Sequence, residues 1–236
     1  MKIDAHVHSA GISKCSRVTV EELIDRKKQA GYDGVILTNH CQSWYYPPEE
    51  HKNFMQETVN EYRRAEKYGN NVRFRVFFGL EVSLNIPAYN DWLLYCVTEK
   101  FLLSSPCLYK LSQKELFELC SANGVALVQA HPFRNSGWGI EEYMHGVEIN
   151  CSPSDLEKTP EVLDIARKRG FLVTCGTDYH GDERPENGGI FLPRSLNTGE
   201  DVSRYLLSAK STKLFLGDKQ FEVPVIIKKR KNKPQS

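Results

Sequence analysis

The first residues of the chain alternate between polar and apolar side chains. Asp4, His6 and His8 stand at every second position, and apolar residues stand between them. In a β-strand this two-residue period places the three polar side chains on one face. Carboxylate and imidazole groups that share a face are suited to bind a divalent cation, so the opening segment predicts a strand that contributes metal ligands.

Other potential metal ligands stand where predicted buried strands end. They follow the segments GVILTN, VFFGL, VALVQA and FLVTCGT, and they are His40, Glu81, His131, Asp178 and His180. The carboxyl ends of strands in α/β folds form the functional rim, so we expect these side chains to converge with those of the first strand. A single histidine after a strand is more often structural than a ligand. Many polar groups buried at one rim, however, repel one another and are left without partners unless cations bind them.

The mixture of donor types narrows the chemistry. Imidazoles with carboxylates, and no thiolate quartet, favour Zn²⁺, Mn²⁺ or Fe²⁺ over Ca²⁺. A carboxylate in such a cluster can bridge two cations, which activate a bridging hydroxide for in-line attack at phosphorus. The sequence contains no Gly-x-Ser-x-Gly elbow, Walker loop or Gly-x-Gly-x-x-Gly motif. The pattern therefore predicts metal-assisted hydrolysis.

The elements that must position these residues alternate along the chain. Short apolar runs are followed by amphipathic segments, and capping boxes at Thr19–Glu22 and Ser112–Glu115 mark two helix starts. About seven strand–helix units predict an α/β fold with a largely parallel sheet. This periodicity does not separate a barrel from a doubly wound sheet. The 236 residues are 40% hydrophobic, which suits a single domain.

Composition and charge limit the location and the partners. Seven scattered cysteines without a CxxC pair are typical of reduced thiols, and with no secretory signal or long apolar run we expect a cytoplasmic protein. We expect the catalytic domain to span 1–226, followed by a basic, disordered tail at 227–236. The formal net charge is +1, and without the five basic residues of that tail it is −4. A mildly acidic body favours a small substrate over nucleic acid, and no pattern indicates an oligomeric state.

Five ordered motifs, DAHVH, TNH, GLE, QAHP and TDYH, resemble the polymerase and histidinol phosphatase (PHP) family of metal-dependent phosphoesterases. The resemblance extends from residue 2 to about residue 195, and the segments CSRVTVEEL, NDWLLYCVTEKFL and VALVQAHPFR are similar to bacterial stand-alone members. It implies a distorted (β/α)₇ TIM-like barrel in a single domain.

The resemblance also implies how two or three cations, Mn, Zn or Fe, are held. His6, His8 and Asp178 are expected at the first, Glu81, Asp91 and His131 at the second with Glu81 bridging, and His40 and His180 at a third. Asp4 is expected to orient one of the histidines.

Two departures from the family pattern concern the third cation. Asn39 replaces the usual aspartate before His40 and cannot carry its charge. The segment after the first motif lacks the usual aspartate or histidine, so Cys15 could be a soft ligand there or Lys14 could replace the cation.

Residues in the loops that follow the motifs are candidates for binding the substrate. Arg134 and Arg184 follow two of the motifs and are expected to bind phosphate, although each is equally compatible with a surface role. The aromatic segment Trp44–Tyr46 could stack on a base or pack over the barrel mouth. We expect hydrolysis of a phosphomonoester of a small metabolite or nucleotide, with Asp178 or His180 protonating the leaving group. The alternatives are an exonuclease or oligonucleotide phosphodiesterase, and a non-catalytic metal-binding module.

Overall fold

In the computed structural model, strands from both halves of the chain form one sheet that curves into a nearly closed barrel. The described residues are 1–84, 90–134, 138–139, 141–181 and 187–225. The strands are β1 (Lys2–Val7), β2 (Gly34–Leu37), β3 (His40–Cys41), β4 (Arg75–Leu84), β5 (Asn90–Tyr95), β6 (Ala126–Gln129), β7 (Gly146–Asn150), β8 (Leu172–Gly176), β9 (Gly188–Phe191), β10 (Ser211–Leu216) and β11 (Lys219–Pro224). The helices are α1 (Val20–Gln29), α2 (His51–Gly69), α3 (Glu99–Ser104), α4 (Gln113–Ala122), α5 (Pro153–Leu156), α6 (Thr159–Arg169) and α7 (Gly199–Ser208).

The strand order explains the barrel. It runs β11-β10-β9-β1-β2-β4-β5-β6-β7-β8, and β3 pairs with β4. A parallel bridge between Val7 and Tyr179 joins the end of β1 to the segment that follows β8, so the sheet nearly closes on itself. The expectation of an α/β fold with a distorted, TIM-like barrel in a single domain is therefore confirmed.

The expected largely parallel sheet is only partly correct. β1, β2 and β4 are parallel, as are β6, β7 and β8, but β5 is antiparallel to both of its neighbours. Five residues separate β4 from β5, and a connection that short cannot make the crossover that a parallel pair requires. β9, β10 and β11 form an antiparallel extension beside β1.

Local sequence signals account for the helices that cover the barrel. The capping boxes expected at Thr19–Glu22 and Ser112–Glu115 are both present, with reciprocal bonds between side chains and backbone. α1 buries Leu23 and Ile24 on the face that meets the sheet. No helix in the described ranges is long and apolar enough to cross a membrane.

Candidate metal centre

Four side chains from three separate segments of the chain meet at the carboxyl end of the barrel. His6 and His8 come from β1 and the residue just beyond it, Glu81 from β4, and Asp178 from the loop after β8. The Nε2 atoms of His6 and His8 lie 3.2–3.4 Å from Glu81 Oε2 and Asp178 Oδ1. These four side chains are at least nine-tenths buried, and the four ligand-type atoms make no hydrogen bond within the described residues. A cation would satisfy all four.

The spacing of these four atoms matches the geometry of a bound metal. Nitrogen and oxygen ligands of Zn²⁺ lie about 2.0–2.2 Å from the ion, so the edges of a regular tetrahedron around it measure about 3.3–3.6 Å. The four distances in the cluster, 3.2–3.4 Å, agree with that value. The residues present therefore fit a divalent cation.

A second ligand group shares Glu81 with the first. Its other oxygen, Oε1, lies 3.0 Å from His131 Nε2, which in turn lies 4.0 Å from Asp91 Oδ2. The ligand atoms of these three residues lie within 4.8 Å of one another, and all three are buried. With one oxygen directed to each group, Glu81 has the geometry of a carboxylate that bridges two cations.

A third group lies nearer the solvent and comprises His8, His40 and His180. The Nε2 atoms of His40 and His180 face each other at 3.3 Å, and the ring of His8 stacks on both. Cys15 is exposed beside them. Burial raises the pKa of its thiol, but hydrogen bonds with His180 and His40 lower it to about 5.

The histidine rings are fixed by partners that the sequence analysis missed. Glu148 Oε1 lies 2.9 Å from His6 Nδ1, and Ser13 Oγ lies 3.1 Å from His8 Nδ1. Glu148 Oε2 also accepts the backbone N–H of His131. A ring that donates Nδ1–H to such a partner presents the lone pair of Nε2 to a metal. The missed signal was the GVEIN segment, where Glu148 and Asn150 alternate with apolar residues as the polar residues of β1 do.

The neighbouring imidazoles lower the pKa values of the two carboxyls in the first ligand group. Burial alone raises the pKa of the Glu81 carboxyl, but the imidazoles of His40 and His6 outweigh it and keep that pKa well below its usual range. Asp178 behaves in the same way. Burial raises the pKa of its carboxyl, but the neighbouring His6 and His8 outweigh burial and keep that pKa well below its usual range. Both carboxylates are therefore charged and available to cations.

The carboxyl of Asp91, in the second ligand group, has a pKa shifted in the opposite direction. Burial and the negative charge of Glu81 raise the pKa of the Asp91 carboxyl, whose Oδ1 accepts a hydrogen bond from Ser83.

His131 follows β6 with a φ of 27°, and Asp178 follows β8 with a φ of 53°. Such left-handed conformations are uncommon outside glycine, and they turn both side chains towards the cluster at the strand ends.

Asp4 does not orient a histidine ring, contrary to expectation. Its carboxylate accepts from the backbone and hydroxyl of Thr177 and from the Nζ of buried Lys27, 2.6 Å away. Towards His6 it contacts only the backbone N–H, at 3.2 Å. A buried lysine requires a charged partner, and Asp4 serves that purpose, while Glu148 holds the ring of His6.

Of the two arginines expected to bind phosphate, Arg134 lines the central cavity and Arg184 lies outside the described residues. Arg134 donates from Nη1 to Asp178 Oδ2 at 2.6 Å and from Nε and Nη2 to Asp155. It therefore fixes Asp178 so that Oδ1 is directed to the first ligand group. Whether it also binds phosphate stays a prediction.

Asn39 retains a structural role despite lacking the charge of an aspartate. Its Oδ1 accepts from Ser13 Oγ and from the backbone N–H of Ser9, and its Nδ2 donates to Ser9 Oγ. Through Ser13 it supports the partner of His8. The Ser9 hydroxyl in turn donates to the buried Glu61 carboxylate, and an aspartate at 39 would add a second negative charge to this network.

A cavity of about 470 Å³ opens onto the ligand groups. Of the aromatic residues expected near its mouth, Trp44 is 57% exposed on the wall, Tyr45 is half-buried on the wall, and Tyr46 is buried in the core. Tyr46 is therefore not available to stack on a ligand, whereas Trp44 is well placed to do so.

Comparisons with known proteins identify the family and the fold. The sequence matches the family described as PHP domain over residues 4–177, which is more than half of the chain. Among solved structures, PsfC from Pseudomonas syringae has a TM-score of 0.61 at 18% identity, and the match covers 88% of this chain and 96% of that one. No curated protein matches the sequence.

Two larger proteins share the same fold. One is a two-domain protein from Bacteroides vulgatus that contains a predicted PHP-like metal-dependent phosphoesterase, with a TM-score of 0.58 at 18% identity. That match covers 91% of this chain but only 64% of the Bacteroides chain. The other is the lesion-specific endonuclease PfuEndoQ from Pyrococcus furiosus, with a TM-score of 0.56 at 13% identity and coverage of 90% and 57%. At these identities the likeness concerns the fold.

Proposed function

The chain belongs to the PHP domain family, and from this premise we propose that it is a metal-dependent phosphoesterase that hydrolyses phosphomonoesters. The observation that carries the proposal is the set of buried ligand atoms that make no hydrogen bond with any described residue, and the His40 Nδ1 atom also belongs to this set. Leaving such groups unsatisfied is costly in a folded protein, so the cluster is built for cations.

Two cations fit the core of the site. His6, His8, Glu81 and Asp178 would hold the first, and Glu81, Asp91 and His131 the second. When bound, the cations would polarise a phosphoryl oxygen and lower the pKa of a coordinated water near neutrality. The surrounding residues keep this core rigid: Glu148 and Ser13 orient the imidazoles, and Arg134 orients Asp178.

Of the two residues expected to protonate the leaving group, His180 is the better suited. Asp178 Oδ2 accepts from Arg134 and Oδ1 faces the first ligand group, and the depressed pKa of the carboxyl makes it a poor proton donor. The side chain of His180 reaches the cavity; burial lowers its pKa, but Cys15 and Asp178 outweigh burial and raise the pKa above its ordinary value. A histidine of this kind can donate a proton near neutral pH.

The size of the cavity supports a small substrate. About 470 Å³ accommodates a phosphorylated metabolite or a mononucleotide. Trp44 on the wall offers an aromatic face on which a base could stack. We propose that residues 1–226 form the catalytic domain and that the basic segment 227–236 lies outside it.

The proposal is tested by phosphate release from a panel of sugar phosphates and nucleoside monophosphates with added Mn²⁺ or Zn²⁺. We expect turnover by the wild-type protein and its loss in His8→Ala and Asp91→Asn. His145→Gln changes a histidine that packs against Phe117 and serves as the matched control. Absence of turnover on the whole panel, at full metal occupancy, would contradict the proposal, and tight ligand binding in that case would indicate a binding module.

The second candidate is a nuclease, and the exposed Trp44 at the cavity mouth favours it. PfuEndoQ, which shares the fold, is an endonuclease. Against it, the chain without its basic tail has a net charge of −4, which is unfavourable for binding a polyanion. We expect weak or no cleavage of labelled oligonucleotides. If cleavage occurs and deletion of residues 228–236 leaves its salt dependence unchanged, the tail takes no part in it.

A further inference from the structure

We propose that Ser83 and Gln42 are positioning residues for Asp91, and that the row of these three side chains determines how tightly the second cation is bound. The inference rests on the second ligand group of the proposed function, Glu81, Asp91 and His131. It adds two residues that face no cation themselves and that no sequence pattern singled out.

The three side chains lie in one row across adjacent strands. Ser83 and Asp91 are directly opposite each other in the antiparallel pair of β4 and β5. Gln42 follows β3, whose last residue, Cys41, is opposite Val82 on β4, and the Gln42 amide reaches Ser83. The register of three strands therefore fixes the row, and all three of its side chains are buried.

Asp91 directs its two carboxylate oxygens to different partners. Oδ1 accepts from Ser83 Oγ at 2.6 Å, and Oδ2 lies 4.0 Å from His131 Nε2 in the ligand group. The bond from Ser83 thus leaves Oδ2 for the cation and restrains the carboxylate from binding through both oxygens. A carboxylate that binds through one oxygen suits four-coordinate Zn²⁺ better than the larger coordination shell of Ca²⁺.

The hydroxyl of Ser83 has a single proton, and the row determines where it goes. A carboxylate that binds a cation is unprotonated, and the contact of 2.6 Å with Asp91 is shorter than the 3.1 Å between Ser83 Oγ and Gln42 Oε1. With the proton directed to Asp91, two oxygen acceptors would face each other across the longer contact. An amide keeps nearly the same shape when it is turned over, so Gln42 meets Ser83 with Nε2 as the donor.

The hydrogen bonds of the row then run in one direction, from Gln42 through Ser83 to Asp91. Donation from Gln42 Nε2 polarises the hydroxyl and strengthens its bond to the carboxylate. It also fixes the rotation of the hydroxyl. Both residues act on the cation only through Asp91, so their removal should affect the second cation and leave the first in place.

The test is the stepwise affinity of the metal-free protein for Zn²⁺, measured by competition with a chromophoric chelator. In Ser83→Ala we expect the second equivalent to bind about 10- to 100-fold more weakly and the first to bind as in the wild type. His131→Ala removes a ligand of the same group and shows which equivalent is bound there.

Ser203→Ala is the matched control. The buried hydroxyl of Ser203 donates to the Gly124 carbonyl and accepts the N–H of Ala126, at the opposite end of β6 from His131. This variant loses two hydrogen bonds of the same kind and should bind both equivalents as the wild type does. If Ser83 served only the fold, Ser83→Ala would resemble this control or weaken both equivalents together, and either result would overturn the proposal.

Gln42→Met tests the direction of the row, and it also serves if Ser83→Ala does not fold. Methionine has a similar length but no donor, so the second equivalent should bind about 2- to 10-fold more weakly, the usual contribution of one hydrogen bond. If Gln42 instead accepted the proton of Ser83, its removal would release that proton to Asp91. Unchanged or tighter binding in Gln42→Met would therefore contradict the inferred direction.

Phosphate release takes no part in these measurements, which separates the proposal from the proposed function. A wild type that binds two equivalents but hydrolyses no substrate would contradict the function, while selective loss of the second equivalent in Ser83→Ala would still support the row. A wild type that binds only one equivalent would overturn the row, because Asp91 would then have no cation to bind.

Discussion

At the scale of single residues, the site depends on side chains that do not themselves face a metal. Glu148 is fully buried, contacts the ring of His6 and accepts the backbone N–H of His131, so one carboxylate connects a residue of each of the two ligand groups. Its contact with Nδ1 of His6 holds the ring so that Nε2 is directed to the ligand group.

We predict that Glu148→Gln weakens binding of Mn²⁺ or Zn²⁺ about 10- to 100-fold. The amide NH₂ can donate to His6 Nδ1 and so favour the tautomer with a proton on Nε2, the atom that should ligate. Competition with a chromophoric chelator measures the change. Glu161→Gln, on the exposed face of α6, is the matched control and should bind metal as the wild type does. Equal affinities for Glu148→Gln and the wild type would show that Glu148 does not position the ligand.

At the scale of elements, the approach of β8 to β1 determines where the first ligands lie. A Cβ on Gly176, at the end of β8, would lie 2.4 Å from His6 Cβ and 2.8 Å from the His6 backbone nitrogen. Only a glycine permits this approach, because the contacting atoms belong to the backbone and Cβ of the neighbouring strand and cannot move independently.

We predict that Gly176→Ala lowers the free energy of unfolding of the metal-free protein by about 1–3 kcal/mol, since the added methyl group forces β1 and β8 apart. Chemical denaturation measures this loss. Gly199→Ala at the start of α7, where the nearest atom is 3.3 Å away, is the matched control and should change the stability much less than Gly176→Ala. A Gly176→Ala variant as stable as the wild type would mean that the barrel opens there without cost.

Sequence patterns predicted some of these elements better than others. Capping boxes located the starts of α1 and α4 because the cap is a local interaction. The direction of β5 was not predicted, since the period of a strand shows which faces are buried but not how it pairs; the short connection after β4 was the signal for an antiparallel pair. Ser13 gave no signal as a histidine partner, because its contact depends on how the loop after β1 folds against Asn39.

At the scale of the whole molecule, the barrel brings together residues separated by up to about 170 positions. Because the carboxyl ends of parallel strands lie at one rim, His6, Glu81 and His131 were expected to meet. The structure places these three residues together. Which oxygen of Glu81 faces which group, and the pairing of Arg134 with Asp178, depend on strand register and loop conformation. Those details do not follow from spacing in the sequence.

We predict that Glu81 bridges two cations, and the metal content of the purified protein measures this. Elemental mass spectrometry gives the metal equivalents per chain after purification with added Mn²⁺ or Zn²⁺. It is applied to the wild type, to Glu81→Gln and to the control Glu57→Gln, which changes an exposed residue of α2. We expect about two or more equivalents in the wild type and in Glu57→Gln, and a sharp fall in Glu81→Gln. Less than one equivalent in the wild type, unchanged by Glu81→Gln, would contradict it.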